Sequence, residues 1–327
     1  MNKTTSRSFT ALLALLFCQT AAFSQVTYKG PASSSDSTRI SPFSQNVDSI
    51  QIKPIFSSAD SVFPNSAKVK MVRVPPAYAH VVYRGRFEYL APTTGKTGVE
   101  LIKALHEITA ANFHSLGYAQ ARKVMYGVAD NVEINGVRGI LTAYSQVFVP
   151  GTSDNGDNYK EIGDRNGDGI MDPGINAEHS WPQSFFKKAE PMRSDMHHLQ
   201  STFITPNGRR GNMPYGMVQG APDYKLLSGT KRGSGVYEPS DRTKGNTARA
   251  LLYFMIRYYD RPIANMDKRN FWTDRVDTLL YWNRMDPPDA MEVRRNDIVE
   301  KAQGNRNPFI DDYTLADRIG PEALKAF

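Results

Sequence analysis

One stretch, residues 176–216, constrains this chain more than any other: NAEHSWPQSFFKKAEPMRSDMHHLQSTFITPNGRRGNMPYG. It sets Glu178-His179 beside Trp181-Pro182, then Asp195-x-His197-His198, then Asn207, Arg209, Arg210 and Asn212. Histidine is scarce, six in 327 residues, and three of the six fall in this window. A helix or strand that only packs has no need of such a mixture. Acid, imidazole, amide and guanidinium concentrated in one segment point to a reaction site, and the remainder of the chain reads as its platform.

The mixture suits one reaction in particular. Hydrolysis of a phosphodiester by in-line attack of water needs a base for the water, charge stabilisation on the phosphate and help for the departing 3′ oxygen. A neutral histidine serves as base near neutral pH. One hard divalent cation serves the other two needs, and Mg²⁺ keeps several waters, so a carboxylate and an asparagine amide are enough protein ligands. Glu178, His179 and Asn207 form such a set. Neighbours on a regular strand point to opposite faces. Glu178 and His179 therefore converge only at a strand end or bulge, or else act on different sides of the scissile phosphate. Pro182 should end that strand. Arg209 and Arg210 can grip phosphates bidentately. A formal charge of +7 suits a polyanionic partner, and equally suits a slightly basic soluble protein.

Asn176-x-Glu178-His179-x-Trp181-Pro182, Asp195-x-His197-His198-Leu199 and Asn207-x-x-Arg210-Gly211-Asn212 together resemble the bacterial endonuclease I family. Its members are secreted or periplasmic, non-specific nucleases with a ββα-metal (His-Me finger) site. The resemblance extends from Tyr89–Gly98 through Lys244-Gly245-x-x-Ala248-Arg249 to Gly304-Asn305-Arg306-Asn307-Pro308-Phe309. It implies an α+β fold, a mainly helical domain with a small ββα-metal core. It implies His179 as general base, and one Mg²⁺-type ion, with Mn²⁺ or Ca²⁺ as alternatives, held by Glu178 and Asn207. Asn212 is the rival ligand; otherwise it joins Arg210 in ordering the loop or touching phosphate. His198 is a supporting residue of the site. The implied partner is DNA, with RNA left open, bound through its phosphates, and no stable protein partner. Disulfides, frequent in the family, cannot form in the mature chain. Arg193 lies between the motif halves, where some members place a transition-state arginine, but nothing in the sequence aligns it.

Residues 1–24 read as a signal peptide: Lys3 and Arg7 precede an apolar run, Phe9 to Phe23, that is too short to span a membrane. Ala22-Phe23-Ser24 places the mature start at Gln25, so the expected location is secreted or periplasmic. The only cysteine, Cys18, lies in this leader. Residues 25–85, rich in Ser, Asp, Pro and Asn, read as a linker or loosely ordered arm with some strand character over Val69–Tyr83. Residues 86–327 form the expected nuclease domain. Within it Thr97-x-x-Glu100 is a capping-box pattern ahead of an apolar helical face. Helices are expected over Tyr118–Met125, Thr247–Tyr259, Val276–Trp282 and Ala290–Lys301, and one or two strands over Val137–Val149. The Gly-rich segment 217–240 is expected to be loop.

Asp164, Asn166 and Asp168 alternate and are followed by Gly169, as in the first half of an EF-hand calcium loop. Position twelve is Ile175 instead of a bidentate Glu, so only a shortened loop using Asp172 would hold structural Ca²⁺; the plain alternative is a polar turn. That half-motif supports a rival reading, a calcium-dependent surface or carbohydrate-binding module. A third reading, an inactive nuclease relative that binds nucleic acid, conflicts with retention of Glu178, His179 and Asn207.

Overall fold

The computed structural model describes residues 88–150 and 174–327. The leader, the arm with its strand-like segment and His80, and the Asp164–Asp172 half-motif lie outside the described residues.

Helix α1, Gly98–Ala110, buries Leu101, Ile102, Ala104 and Leu105 on one face. Thr97 has the extended backbone of an N-cap, yet its side chain makes no cap hydrogen bond, so the expected capping box does not close. Helix α2, Tyr118–Val124, runs on into a single π-helical turn at Met125–Ala129. Strands β1 (Asn131–Ile134), β2 (Val137–Leu141) and β3 (Phe148–Pro150) form an antiparallel sheet in that order, so the apolar run from Val137 to Val149 yields two strands.

Next come β4 (Ile175–His179) and β5 (Leu199–Phe203), an isolated antiparallel pair registered from Ile175↔Phe203 to His179↔Leu199. Helix α3, Ile204–Arg210, follows β5 without a linker. The segment expected to be loop instead forms a second small sheet, β6 (Tyr224–Lys225), β7 (Lys231–Gly233) and β8 (Val236–Glu238). Strands of two or three residues are too short for an alternating pattern to register in sequence.

Helix α4, Lys244–Tyr258, is the centre of the molecule. Every residue from Thr247 to Tyr258 is buried, where an apolar stripe alone was expected. It packs on α1 and on α6 (Val276–Met285), which follows the short α5 (Lys268–Phe271). The main core joins Leu105, Trp181, Leu252, Phe254, Trp272 and Trp282. Helices α7 (Ala290–Gln303), α8 (Pro308–Asp311), α9 (Leu315–Ile319) and α10 (Pro321–Ala326) complete the chain.

The flanking motifs are structural. A Cβ on Gly245 would sit 1.8 Å from the Asp286 carbonyl oxygen, so only glycine lets α4 approach the end of α6. Arg249 then pairs with Glu292 on α7 through both its Nε and Nη2 and donates to the Asp286 carbonyl (2.7 Å). In the last motif Asn305 donates to Thr109 O (2.8 Å) and Asn307 to Arg249 O (3.1 Å), tying the C-terminal helices to α1 and α4. A buried charge stays only if it is paired and hydrogen-bonded, and the Arg249–Glu292 pair meets that condition.

Candidate active site

The site is built on β4, β5 and α3. Strand alternation puts Asn176 and Glu178 on one face of β4 and Ala177 and His179 on the other. Because α3 starts directly at the end of β5, it folds back against both strands and delivers Asn207 to β4. The Asn207 amide nitrogen donates to Asn176 Oδ1 (2.9 Å) and reaches the Ala177 carbonyl (3.5 Å). Asn207 is thereby placed on the Asn176 and Glu178 face, and among the described residues no hydrogen bond holds its Oδ1.

Glu178 is buried, 1% exposed, and its Oε1 accepts from Arg210 Nη1 at 2.6 Å. Burial pushes its carboxyl up to about 7, against the opposing pull of Arg210 and of the Tyr144 and Tyr215 hydroxyls. Arg210 is equally buried. Its guanidinium donates to the carbonyls of His179 (3.0 Å), Ser180 (2.8 Å) and Met213 (3.1 Å) and lies over the Tyr215 ring at 4.4 Å. The expected phosphate grip by Arg210 is therefore corrected: this side chain is committed inside the protein, locking the end of β4 to the turn after α3. That turn needs Gly211, whose φ of 56° and ψ of −123° suit glycine. Arg209 and Asn212 are exposed, with Arg209 over the Tyr224 ring at 5.8 Å.

His179 is the last residue of β4, in regular register with Leu199, so it sits at a strand end and not at a bulge. Its Nε2 lies 3.0 Å from the Arg193 carbonyl oxygen. A carbonyl only accepts, so Nε2 carries the proton and Nδ1 keeps the lone pair. The ring lies 5.5 Å from Tyr118 and 5.4 Å from His198, centroid to centroid. Burial chiefly, helped by neighbouring positive groups, holds its pKa well below the usual 6.5, so the imidazole is neutral at pH 7. His197 and His198 do not form a metal pair. Each directs Nε2 at a carbonyl, Asn305 O (2.9 Å) and Met192 O (2.6 Å) respectively, and burial lowers both to about 4. Trp181 is core: 1% exposed, stacked on Phe254 and bonded to Ile263 O.

Four contributing residues were not assigned a role from the sequence. The carbonyl that orients His179 belongs to the main chain of Arg193, whose guanidinium lies 4.1 Å above the Tyr118 ring. Tyr144 and Tyr215, hydroxyl to hydroxyl at 2.6 Å, come from segments 71 residues apart. Asp195, quoted in the motif but given no role, accepts from Tyr253 (2.8 Å), Tyr258 (2.7 Å) and Gln303 (2.8 Å). Among the described residues no cluster of three or more His, Cys, Asp or Glu is arranged around a common metal position. A carboxylate paired with an amide oxygen is a different kind of ligand set.

Comparison with known proteins identifies the family. The Endonuclease I family profile matches residues 97–313. An "Extracellular ribonuclease" of Bacillus amyloliquefaciens is 32% identical over 243 residues, covering 71% of this chain and 77% of the relative. Another, from Bacillus subtilis (strain 168), is 30% identical over 244 residues, 71% of this chain and 78% of that protein. An "Extracellular deoxyribonuclease" of Aeromonas hydrophila is 33% identical over 126 residues, 37% of this chain and 50% of its own. No helix among the described residues is long and apolar enough to cross a membrane. The match reaches from α1 past α8 and takes in the β4, β5 and α3 segment whole, which sets aside the carbohydrate-binding alternative: the chain belongs to the endonuclease I family and is a nuclease.

Proposed function

We propose that this nuclease is an exported, metal-dependent endonuclease with a ββα-metal site, hydrolysing DNA and RNA with little sequence preference. The observation that carries this reading is that both key side chains are anchored by the atom the chemistry does not use. His179 is held through Nε2, leaving Nδ1 to take a proton from the attacking water; Asn207 is held through Nδ2, leaving Oδ1 to ligate. The residues fit a hard divalent cation. Glu178 and Asn207 offer oxygen ligands on one face of β4, and a cation there would favour the ionised form of a carboxyl that burial otherwise pushes up. Mg²⁺ is the expected ion, and Mn²⁺ and Ca²⁺ share its preference for oxygen. When bound, the ion supplies charge stabilisation on the phosphate and on the departing oxygen. Arg210 orients the Glu178 carboxylate and holds the strand end on which His179 sits.

Nothing in this chemistry requires a 2′-hydroxyl, so both nucleic acids qualify. Relatives matched over most of the chain are named ribonucleases, and several matched over about a third of it are named deoxyribonucleases. Export is supported by the leader-like residues 1–24 and by relatives named extracellular or periplasmic. The test is a digestion panel: double- and single-stranded DNA and RNA, each with EDTA, Mg²⁺, Mn²⁺ or Ca²⁺. Degradation with Mg²⁺ and none with EDTA supports the reading. Undiminished degradation in EDTA overturns the metal assignment.

Substrate contacts fall to exposed cations: Arg209, Lys187 and Lys188. Such groups suit phosphates rather than base edges. Arg209→Ala should weaken binding equally on unrelated sequences and flatten the plot of log affinity against log salt by about one unit. An unchanged salt slope removes Arg209 from the interface.

A further inference from the structure

The proposed base is oriented by a carbonyl, and that carbonyl belongs to a turn which a second histidine also grips. Arg193 O, the partner of His179 Nε2, lies in the short 3-10 turn Met192–Ser194. The preceding carbonyl of the same turn, Met192 O, lies 2.6 Å from His198 Nε2. Two histidines thus hold two consecutive carbonyls. They stand side by side because β4 and β5 are paired: His179 closes β4, His198 immediately precedes β5, and Ser180 N donates to His198 O at 3.0 Å.

The support behind His198 is rigid. Its ring is fully buried against Phe254 of α4, centroids 4.5 Å apart. Asp195 caps the turn Met196–His198 by accepting from His197 N (3.1 Å), and it is held to the same helix by Tyr253 and Tyr258. Its other nitrogen is telling. Nδ1 of His198 is buried with no hydrogen-bond partner among the described residues. Since Met192 O only accepts, Nε2 carries the proton and Nδ1 is a bare lone pair. A buried polar atom without a partner is a cost that an apolar ring of similar size would avoid. What histidine adds over phenylalanine at this position is one donor, aimed at Met192 O.

We propose that His198 is a positioning residue: its bond to Met192 O sets the Met192–Ser194 turn so that Arg193 O meets His179 Nε2 and holds the base with Nδ1 unprotonated. This rests on the reading of His179 as general base. Other bonds hold the ends of the turn, Arg193 Nε to Gln183 Oε1 (3.2 Å) and Ser194 Oγ to Ser115 Oγ (2.7 Å) among them, but the Met192 bond is the one on the carbonyl next to Arg193 O, and without it that peptide is free to turn. Arg193 O then no longer selects the tautomer, and His179 molecules protonated on Nδ1 cannot accept the water proton at that atom.

The test compares His198→Phe, which keeps a ring and removes the donor, with His198→Gln, whose amide can donate again. Loss of an orienting partner behind a catalytic group typically lowers activity about 10–100-fold. His198→Phe should show a kcat loss of that size with KM and the Mg²⁺ titration midpoint little changed, and His198→Gln should recover most of it. Histidine side-chain ¹⁵N NMR reads the tautomer directly, with the His179 signals assigned by their loss in His179→Ala. Wild type should show His179 and His198 protonated on Nε2, and His198→Phe should show His179 as a mixture. Either histidine protonated on Nδ1 in the wild type overturns the proposal, whether or not the variant folds. So does a folded His198→Phe with unaltered kcat and tautomer. Should His179→Ala keep its turnover, the general-base reading fails, while the tautomer comparison still decides the positioning claim.

Discussion

Replacing His179 with alanine should lower kcat about 10²–10⁴-fold, the range a general acid–base group contributes, while KM moves little. The ring is oriented by Arg193 O and neutral through burial, and as the proposed base it would accept one proton per turnover at Nδ1. Alanine also opens a gap beside Tyr118 and His198, so a second substitution separates chemistry from packing. His179→Gln fills more of the space and can still donate to Arg193 O, yet it has no basic nitrogen. Both variants should fall together in kcat, measured at saturating DNA with Mg²⁺. Near-normal turnover in either removes His179 from the mechanism.

Weakening the ligand set should appear as a metal requirement. Glu178→Ala would leave Arg210 buried without its counter-charge, a loss of about 3–5 kcal/mol in stability that would confuse the result. Glu178→Gln also removes the counter-charge but keeps the volume and a hydrogen-bond acceptor for Arg210, so it costs less, and its thermal melt is read alongside the metal titration. If Glu178 and Asn207 are the proposed ligands, this variant and Asn207→Ala should each raise the Mg²⁺ concentration for half-maximal activity by about tenfold or more, since each would then affect one of few protein ligands. Asn212→Ala should match the wild type. If Asn212→Ala raises the requirement and Asn207→Ala does not, the ligand is the other asparagine.

Much of this was legible because the chemistry needs particular side chains. The segment holding Glu178, His179 and Asn207 stood out because its mixture had no use in a packing element, and a strand, a return strand and a helix place Glu178 and Asn207 on one face of β4 and His179 on the other. The long helices were legible through apolar periodicity, although α4 is buried nearly all round and so conceals Arg249 and Arg257 in the interior. Between ordering the loop and touching phosphate, Arg210 could not be settled from sequence, because an arginine beside an asparagine motif looks the same whether it meets a phosphate or a buried glutamate; only burial separates the two. The β6–β8 sheet was missed because its strands are too short to show a period. The carbonyl that sets the His179 tautomer was beyond reach altogether, since every residue has one.

The central claim is that water, activated by His179, attacks the phosphorus directly. The most direct test is cleavage in H₂¹⁸O of a defined DNA and of the matching RNA, with Mg²⁺, followed by mass analysis of the ends. The family resemblance implies 5′-phosphate ends; direct attack predicts that they carry one ¹⁸O from both substrates, with far slower release of the same ends by His179→Ala. Products ending in 2′,3′-cyclic phosphate, or failure to cut any strand that lacks 2′-hydroxyls, would contradict it.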